Sequence, residues 1–207
     1  MIKHVIFDLG NVIVEIHPQD TMRAFARRCE FSEEEIRKFY LSELHLGFMG
    51  GNYTPAEFYR RMMQRFPCNI SQADFFDIWS RVIGKPKNGI EQLVNQLSKQ
   101  YTLSLCSNTD PWHWKISRQA CSFFSRFSHF FLSFELKMNK PDRRVFEYLL
   151  QHLNAQPHEC VFIDDTAENI AVASGMGMRG ILTEAPSEMK TALQKLGVIL
   201  EENSADK

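Results

Sequence analysis

An apolar run that ends in a carboxylate lies close to the start of the chain, in His4-Val5-Ile6-Phe7-Asp8. Three later runs are also apolar and also end in polar residues with useful chemistry. They are Thr102–Cys106 before Ser107-Asn108, Phe130–Leu132 before Ser133, and Cys160–Ile163 before Asp164-Asp165, while Gly180–Thr183 looks like a fifth run. Short, nearly continuous apolar runs are typical of strands buried on both faces of a parallel sheet. We therefore expect a parallel sheet built from these runs.

Apolar stripes with helical spacing lie between the later runs. They span Ile90–Leu97, Val145–Leu153 and Ile170–Ser174, the last being followed by Gly175 and Gly177. Alternation of strands and helices predicts a doubly wound, Rossmann-like α/β core. Ligands of such folds bind beyond the carboxyl ends of the strands, and the polar residues named above lie at those ends.

Residues 17–84 interrupt this alternation. They contain no convincing strand, and three positions in them have the spacing of a capped helix start. These positions are Ser32 with Glu35, Thr54-Pro55 with Glu57, and Ser71 with Asp74. We expect residues 17–84 to form an α-helical cap inserted into a core made of residues 1–16 and 85–200. Residues 201–207 are expected to form a frayed polar tail.

Composition and charge argue against several classes of protein. The 207 residues carry a formal net charge of −1 and no run of lysines and arginines, so we expect no nucleic-acid or membrane partner. No apolar run has the length of a signal peptide or a membrane helix. The five cysteines are odd in number and form no Cys-x-x-Cys pair, which favours a reduced cytosol over a disulfide framework or a zinc site. We expect a cytoplasmic protein with a small-molecule partner, and the oligomeric state stays open.

The charged residues that the sheet would gather at one edge indicate metal-dependent phosphoryl transfer. Asp8, Asp164 and Asp165 repel one another unless a hard cation neutralises them, and oxygen ligands suit Mg²⁺. Lys140, which with Pro141 is expected to begin a helix, would offset the charge of a carboxylate nucleophile and of the phosphoryl group. Hydroxyl and backbone N–H groups at strand ends bind phosphate oxygens. A carboxylate that attacks phosphorus forms an aspartyl-phosphate, which splits hydrolysis into two easier steps.

The order of these residues resembles the four motifs of the haloacid dehalogenase-like hydrolase superfamily. The motifs are Asp8-Leu9-Gly10-Asn11-Val12, Ser107-Asn108-Thr109, Lys140-Pro141, and Asp164-Asp165-x-x-x-Asn169. The resemblance covers nearly the whole chain, and the ordered set is much more specific than any one motif. The helical insertion is similar to the cap that one branch of the superfamily carries directly after its first motif.

The resemblance implies a metal site. Asp8 would be both nucleophile and metal ligand, and Gly10 would give its backbone carbonyl to the metal. Asp165 would bind Mg²⁺ with help from Asp164. Asn169 stands where the family often has a second carboxylate that orients a metal-bound water.

The remaining motif residues would handle the phosphoryl group. By the same resemblance Ser107, with the Asn108 backbone, would bind phosphate, and Lys140 would stabilise charge. Phe7–Val14 together with Ser107–His113 is also similar to a narrower group that includes bacterial phosphatases acting on α-D-glucose 1-phosphate. The resemblance thus implies an Mg²⁺-dependent phosphatase of small phosphomonoesters, with sugar phosphates as the expected class.

One position departs from the family pattern. Most phosphatases of the superfamily have a second aspartate two residues after the nucleophile, which acts as general acid and base, and here that position is Gly10. General acid–base help is worth roughly 10²–10⁴ in rate. We expect the proton to come from His113, from Glu43 or His45, or from a metal-bound water. Glu43 and His45 precede the turn Gly47–Gly51, in a predicted cap loop that would also contact substrate.

Three other functions are open to this sequence. A catalytically weak regulator that binds a phosphorylated metabolite or a protein partner would explain Gly10. A hydrolytic dehalogenase would share the carboxylate nucleophile, but it would leave the pair Asp164-Asp165 without a role. A receiver domain that accepts a phosphoryl group would have its acidic pair at the first strand, which is the reverse of the order here. Turnover separates the enzyme from the regulator.

Overall fold

A five-stranded parallel sheet forms the centre of the protein in this computed structural model, which describes residues 1–29, 31–40 and 42–200. The expected tail, residues 201–207, lies outside the described residues. The strands described are β1 (His4–Phe7), β2 (Val14–Ile16), β3 (Ile83–Pro86), β4 (Thr102–Ser107), β5 (His129–Leu132), β6 (Cys160–Asp164) and β7 (Arg179–Leu182). The sheet order β5-β4-β1-β6-β7 makes β1 the central strand and confirms the predicted α/β core.

Side chains that alternate along β1 enter two separate apolar layers. Val5 and Phe7 belong to one core cluster and Ile6 to the other, and all three are fully buried. Val5 is paired with Leu103 on one side and with Val161 on the other. Because the five strands run parallel, their carboxyl ends share one edge of the sheet, and the polar residues that follow them meet there.

Helices cover both faces of the sheet. The α-helices described are α1 (Pro18–Cys29), α2 (Glu33–Tyr40), α3 (Glu43–Met49), α4 (Pro55–Arg65), α5 (Gln72–Trp79), α6 (Ile90–Leu97), α7 (Pro111–Ala120), α8 (Ser133–Leu136), α9 (Arg143–Leu153), α10 (Ala167–Gly175) and α11 (Pro186–Lys195). Helices α6 and α11 contribute to one apolar layer, and α9 and α10 contribute to the other. Within the described ranges, no helix has the length and apolar character needed to cross a membrane.

Helices α1 to α5 share an apolar cluster of their own, apart from the two layers of the sheet. Its buried aromatic side chains are Phe25, Phe48, Phe58, Phe75 and Trp79. The rings of Phe48 and Phe58 stack with their centroids 4.0 Å apart. A separate cluster gives this segment its own packing, and we propose that residues 17–84 act as a cap over the sheet.

The three predicted helix starts are present. Thr54 Oγ1 accepts a hydrogen bond from the Glu57 N–H at 3.2 Å, and the Glu57 carboxylate accepts one from the Thr54 N–H at 2.8 Å. Side-chain caps also begin the other two helices, at Ser32 and at Ser71. These caps satisfy backbone N–H groups that would otherwise lack a partner at each helix start.

The predicted loop around Glu43 and His45 is wrong, because both residues lie in helix α3. Ser42 Oγ accepts a hydrogen bond from the His45 N–H at 3.4 Å and caps this helix. Glycine at 47 weakens helix propensity, and that is why the sequence pattern indicated a turn. The consequence is that the His45 side chain is held on a regular element instead of a loop.

A short antiparallel ribbon joins the two parts of the chain. β2 pairs with β3, which begins at Ile83, inside the range expected to hold no strand. Gly84 permits this pairing, because a Cβ there would lie 2.6 Å from His17 Nε2. The prediction failed because strands of three and four residues are too short to show an alternating pattern.

Cys29 and Cys68 form a disulfide, which corrects the expectation that all cysteines are reduced. The bond joins the end of α1 to the segment after α4. Cys106, Cys121 and Cys160 are buried free thiols. The bonded pair is 39 residues apart in the sequence, so cysteine spacing alone gave no sign of the contact.

Candidate active site

A cavity of about 340 Å³ lies at the carboxyl edge of the sheet. Asp8 follows β1, Ser107 ends β4 and Asp164 ends β6, so the topology alone brings these three residues to its wall. Lys140 enters the same cavity from the segment between α8 and α9. The structure therefore brings together residues from all four sequence motifs.

Lys140 bridges two carboxylates at the centre of the site. Its Nζ donates to Asp8 Oδ1 at 2.6 Å and to Asp164 Oδ2 at 2.7 Å, and all three side chains are buried. Burial raises the pKa of Asp8 to about 6, although the Lys140 charge opposes this effect. Burial alone would lower the pKa of Lys140, but the carboxylates beside it raise that pKa, so the ammonium group stays charged.

Lys140 does not begin a helix, which corrects the prediction for Lys140-Pro141. Helix α9 begins at Arg143, where Asp142 accepts a hydrogen bond from the Arg144 N–H at 2.9 Å. The Lys140 backbone is instead hydrogen-bonded to the side chain of Asn108. The lysine therefore lies on a segment whose position is fixed by side-chain contacts.

Three carboxylates in the site have the spacing of metal ligands. One oxygen each from Asp8, Asp164 and Asp165 lies within 4.8 Å of the others, and no second group of this kind occurs in the described residues. Opposite ligands of an octahedral Mg²⁺ are about 4.2 Å apart, because each bond is close to 2.1 Å long. One lysine among three carboxylates also leaves excess negative charge. The donor set and its charge therefore fit a divalent cation that prefers oxygen.

The Asp164 carboxylate is oriented by hydrogen bonds from three residues. The Thr166 N–H donates to Oδ1 at 2.8 Å, and Asn169 Nδ2 lies 3.0 Å from both carboxylate oxygens. Lys140 completes the set at Oδ2. Asn169 was predicted as a metal residue, and the structure shows its amide nitrogen donating to Asp164. Its observed contact is that of a residue that orients a ligand.

Asn11 is a site residue that sequence reasoning missed. Its Nδ2 donates to Asp165 Oδ2 at 3.0 Å, and its backbone has a φ of 55°, in the left-handed region. Asparagine adopts this conformation more readily than most residues. A polar residue three positions after Asp8 was visible in the motif, but only the fold shows that it reaches Asp165.

Ser107 and Asn108 follow β4 and have different contacts. Ser107 is buried and lines the cavity, where its hydroxyl group is available to a phosphate oxygen. The Asn108 side chain faces the Lys140 backbone: Nδ2 donates to the Lys140 carbonyl at 2.7 Å, and Oδ1 accepts from the Lys140 N–H at 2.8 Å. The amide of Asn108 is therefore occupied, which leaves its backbone for the predicted contact with phosphate.

His113 also lines the cavity, in a buried network with Asp110 and Trp79. His113 Nδ1 lies 2.7 Å from Asp110 Oδ2, and Nε2 lies 3.0 Å from the Trp79 carbonyl oxygen. Asp110 Oδ2 also accepts a hydrogen bond from Trp79 Nε1 at 3.0 Å. Burial would raise the pKa of Asp110, but the His113 ring and the hydrogen bonds lower it. The network ties α5 to α7.

Sequence reasoning missed Asp110 and the position of Ser133. Asp110 precedes Pro111 at the start of α7, and this N-cap signal could have located it. Ser133 Oγ accepts a hydrogen bond from the Thr109 N–H at 2.9 Å and lies 2.7 Å from the Met49 carbonyl oxygen. Ser133 thus connects the end of β5 to the strand-end loop of β4 and to α3.

The outer wall of the cavity is mostly apolar. Ile16, Val82 and Ile83 come from or adjoin the β2–β3 ribbon, and His45 comes from α3. Glu43 was predicted as a substrate-binding residue, yet it is exposed and does not line the cavity. Glu43 is two positions before His45, and residues two apart on a helix point in different directions, so only His45 reaches the wall.

Gly10 lies in the cavity wall, where the family pattern has an acidic residue. A Cβ at Gly10 would lie 3.1 Å from Ile16 Cγ1 and 3.9 Å from Asp8 Oδ2. The isoleucine side chain therefore occupies the space beside this backbone. The structure brings Gly10 next to Asp8, and its carbonyl as a metal ligand stays a prediction.

Comparison with known proteins gives the same family by sequence. A family model described as haloacid dehalogenase-like hydrolase matches residues 2–177. The chain is similar to D-ribitol-5-phosphate phosphatase from Bacteroides thetaiotaomicron, with 23% identity over 207 residues that cover 97% of this chain and 99% of that protein.

Two solved structures have the same fold. An HAD family enzyme from Bacteroides thetaiotaomicron, in complex with magnesium and inorganic phosphate, has a TM-score of 0.81 and 25% identity, covering 90% of this chain and 96% of that chain. A protein described as a predicted HAD-like family hydrolase from Porphyromonas gingivalis has a TM-score of 0.81 and 22% identity, covering 95% of this chain and 98% of that chain.

Proposed function

The chain belongs to the haloacid dehalogenase-like hydrolases, and from this membership we propose that it is an Mg²⁺-dependent phosphatase of small phosphomonoesters. The observation that carries the proposal is the position of Asp8. Its buried carboxylate faces a cavity between a lysine at 2.6 Å and two further carboxylates. A buried acid cluster without a function would cost stability through desolvation and repulsion.

Asp8 is the nucleophile in this proposal. A carboxylate oxygen attacks phosphorus, the bond from phosphorus to the alcohol oxygen breaks, and an aspartyl-phosphate forms. Water then attacks the same phosphorus, the bond to Asp8 breaks, and inorganic phosphate leaves. Lys140 keeps its charge throughout and offsets the negative charge that gathers on the phosphoryl oxygens.

Asp8, Asp164 and Asp165, with the Gly10 carbonyl, would hold the Mg²⁺ ion. When bound, the ion supplies positive charge to the phosphoryl oxygens and to the nucleophile. The Asn11 and Asn169 amides keep two of these carboxylates in place. The Bacteroides thetaiotaomicron structure with magnesium and phosphate supports this choice of ion.

The cavity favours an ester with one phosphate and an uncharged alcohol. Among the described residues that line it, Lys140 is the single lysine or arginine. A second phosphate group would therefore face no second cationic side chain. The volume of about 340 Å³ suits a substrate of sugar-phosphate size. The relative named D-ribitol-5-phosphate phosphatase supports a sugar or polyol phosphate.

Phosphate release from a panel of sugar phosphates and an aryl phosphate tests the function. The reactions would contain Mg²⁺ or a chelator, with an Asp8→Asn variant beside the wild-type protein. We expect release that needs Mg²⁺ and is lost in Asp8→Asn. Asp77→Asn is the matched control, because Asp77 is exposed on α5 and outside the cavity wall.

A catalytically weak regulator is the second candidate, and the absence of a carboxylate at Gly10 favours it. Binding of Mg²⁺ and phosphate by the wild-type protein without release from any ester would support the regulator and contradict the phosphatase. A dehalogenase is a poorer candidate, because the three-carboxylate cluster would have no cation to bind. The cytoplasmic location and the absence of a nucleic-acid partner stay predictions.

A further inference from the structure

We infer that His45 is the catalytic residue that gives a proton to the leaving alcohol, in place of the aspartate that Gly10 replaces. The inference rests on the proposed phosphatase function. It starts from the titratable side chains that line the described cavity. Asp8, Lys140 and the two metal-site aspartates already have roles, so His45 and His113 are the remaining side chains of this kind.

The space beside Gly10 offers no other acid. A side chain at residue 10 would meet the Ile16 side chain at 3.1 Å, so hydrocarbon fills the place where an acid would stand. Glu43 is exposed and outside the cavity wall. A proton donor from the described residues must therefore come from the histidines.

His113 is unsuited to proton transfer because both ring nitrogens face fixed oxygen acceptors. Nδ1 lies 2.7 Å from the Asp110 carboxylate and Nε2 lies 3.0 Å from the Trp79 carbonyl oxygen. A carbonyl oxygen accepts hydrogen bonds and cannot donate one. Loss of a proton from either nitrogen would set a lone pair against an oxygen lone pair, in a site where His113 is buried.

His45 approaches the cavity from outside the sheet. It lies on α3, whereas Asp8 follows the central strand β1. The attacking and leaving oxygens of a phosphoryl transfer are roughly in line, so the proton donor must act on the side of phosphorus away from Asp8. His45 lines the cavity from α3 and can therefore approach phosphorus from a different side than Asp8.

The His45 ring is held firmly enough for this role. Its backbone N–H donates to the capping residue Ser42, and the ring packs edge-on against Trp79 with centroids 5.0 Å apart. Trp79 in turn stacks on His113 at 5.2 Å and donates to Asp110. The Asp110 network thus acts as the support for a proton donor, which gives a role to the buried hydrogen-bonded pair of Asp110 and His113 beside the substrate cavity.

Asp8 attacks phosphorus, the phosphorus–oxygen bond to the alcohol breaks, and the protonated imidazole of His45 gives its proton to the leaving oxygen. Water then attacks the same phosphorus and the bond to Asp8 breaks, so that both water protons leave with the phosphate as H₂PO₄⁻, and neutral His45 takes a new proton from solvent. The alcohol and inorganic phosphate are released, and His45 is protonated again.

The dependence on the leaving group gives a specific test. p-Nitrophenyl phosphate has a leaving group that needs no proton, whereas an alkyl ester such as glycerol 1-phosphate does need one. His45→Asn and His45→Gln are expected to lower kcat by about 10²–10⁴ on the alkyl ester and by less than about threefold on the aryl ester. Glu43→Gln, on the same helix, is expected to leave both rates unchanged.

Equal losses on both esters would overturn the role, because a structural defect in α3 slows both reactions alike. The wild-type pH profile gives a second measurement that needs no variant. We expect kcat for the alkyl ester to fall at alkaline pH while kcat for the aryl ester stays level, and profiles of the same shape would contradict the inference. Absence of release from both esters by the wild-type protein would instead overturn the phosphatase function itself.

Discussion

Asn108 and Lys140 are joined by two reciprocal hydrogen bonds, one in each direction between the Asn108 amide and the Lys140 backbone. The two bonds measure 2.7 and 2.8 Å. They attach the segment that carries the lysine to the end of β4. The position of the Lys140 ammonium group beside Asp8 therefore depends on a neutral side chain in another motif.

Substitution of Asn108 is expected to misplace Lys140. In Asn108→Asp the side chain loses its donor and sets a carboxylate against the Lys140 carbonyl oxygen. We expect a loss of about 1–3 kcal/mol in the free energy of unfolding, with a fall in kcat larger than the change in KM. Urea unfolding and steady-state kinetics measure these effects. Asn52→Asp, at an exposed position, is the control, and an equal effect there would contradict the prediction.

Removal of the Asp8 charge is expected to stabilise the metal-free protein at neutral pH. The folded pKa of Asp8, about 6, is above its ordinary value of 3.8. Its contribution to stability is therefore full below pH 3.8 and is lost as the pH rises through about 6. Asp8→Asn should unfold a few degrees higher than wild type at pH 7.5 in chelator. The gain should vanish near pH 4, and an equal gain at both pH values would contradict this account.

Loss of the Asp110 charge is expected to weaken the link between α5 and α7. Asp110→Asn removes the carboxylate that accepts hydrogen bonds from Trp79 and from the backbone of α7, and we expect a cost of about 1–3 kcal/mol by urea unfolding. The pKa of Asp110 is lowered, so its contribution is present above pH 3.8 and is lost as the pH falls through the lowered value. Asp77→Asn serves as the exposed control. An unchanged free energy of unfolding in Asp110→Asn would show that the network adds no stability.

His4 and His129 begin β1 and β5, at the edge of the sheet opposite the cavity, and they are expected to destabilise the protein in acid. Burial lowers the pKa of His4 and of His129 from 6.5, and the charge of His152 lowers that of His129 further. Their contribution is present above pH 6.5 and is lost as the pH falls through the lowered values. His129→Gln should flatten the pH dependence of the unfolding midpoint between pH 7 and pH 5. His158→Gln, exposed near the same end, should not.

Reduction of the disulfide is expected to lower the unfolding midpoint. Cys29 and Cys68 are 39 residues apart, and closing a loop of this size contributes about 2–4 kcal/mol by restricting the unfolded chain. Thermal unfolding with and without dithiothreitol measures the effect. A double variant, Cys29→Ser with Cys68→Ser, should unfold at the midpoint of the reduced protein and show no response to the reductant.

The core was predictable because its strands are buried on both faces. Buried apolar residues occupy successive positions in Val5-Ile6-Phe7 and in Val161-Phe162-Ile163, and this continuous pattern is visible in a single sequence. The convergence of Asp8 and Asp164 followed from parallel strand direction alone. Their common edge needed no knowledge of side-chain contacts.

Side-chain direction and long-range pairing were not predictable. The β2–β3 ribbon pairs Val14 with Pro86, and no local pattern records a partner so distant. Asn108 was predicted as a site residue and lines the cavity, but its contact with the Lys140 backbone depends on the path of the segment after α8. Glu43 and His45 were equivalent in sequence, and only the rotation of α3 separates one from the other.

During synthesis β1 is made well before either of its neighbours in the sheet. Its partner strands begin at Thr102 and Cys160. At a synthesis rate of about 5–20 residues per second, β6 is complete roughly 8–31 s after β1. Helices α1 to α5, whose apolar contacts are closer in sequence, can pack during that interval. The apolar strand β1 thus lacks its full set of partner strands until Cys160–Asp164 have been made, which exposes residues 4–7 to non-native contacts during synthesis.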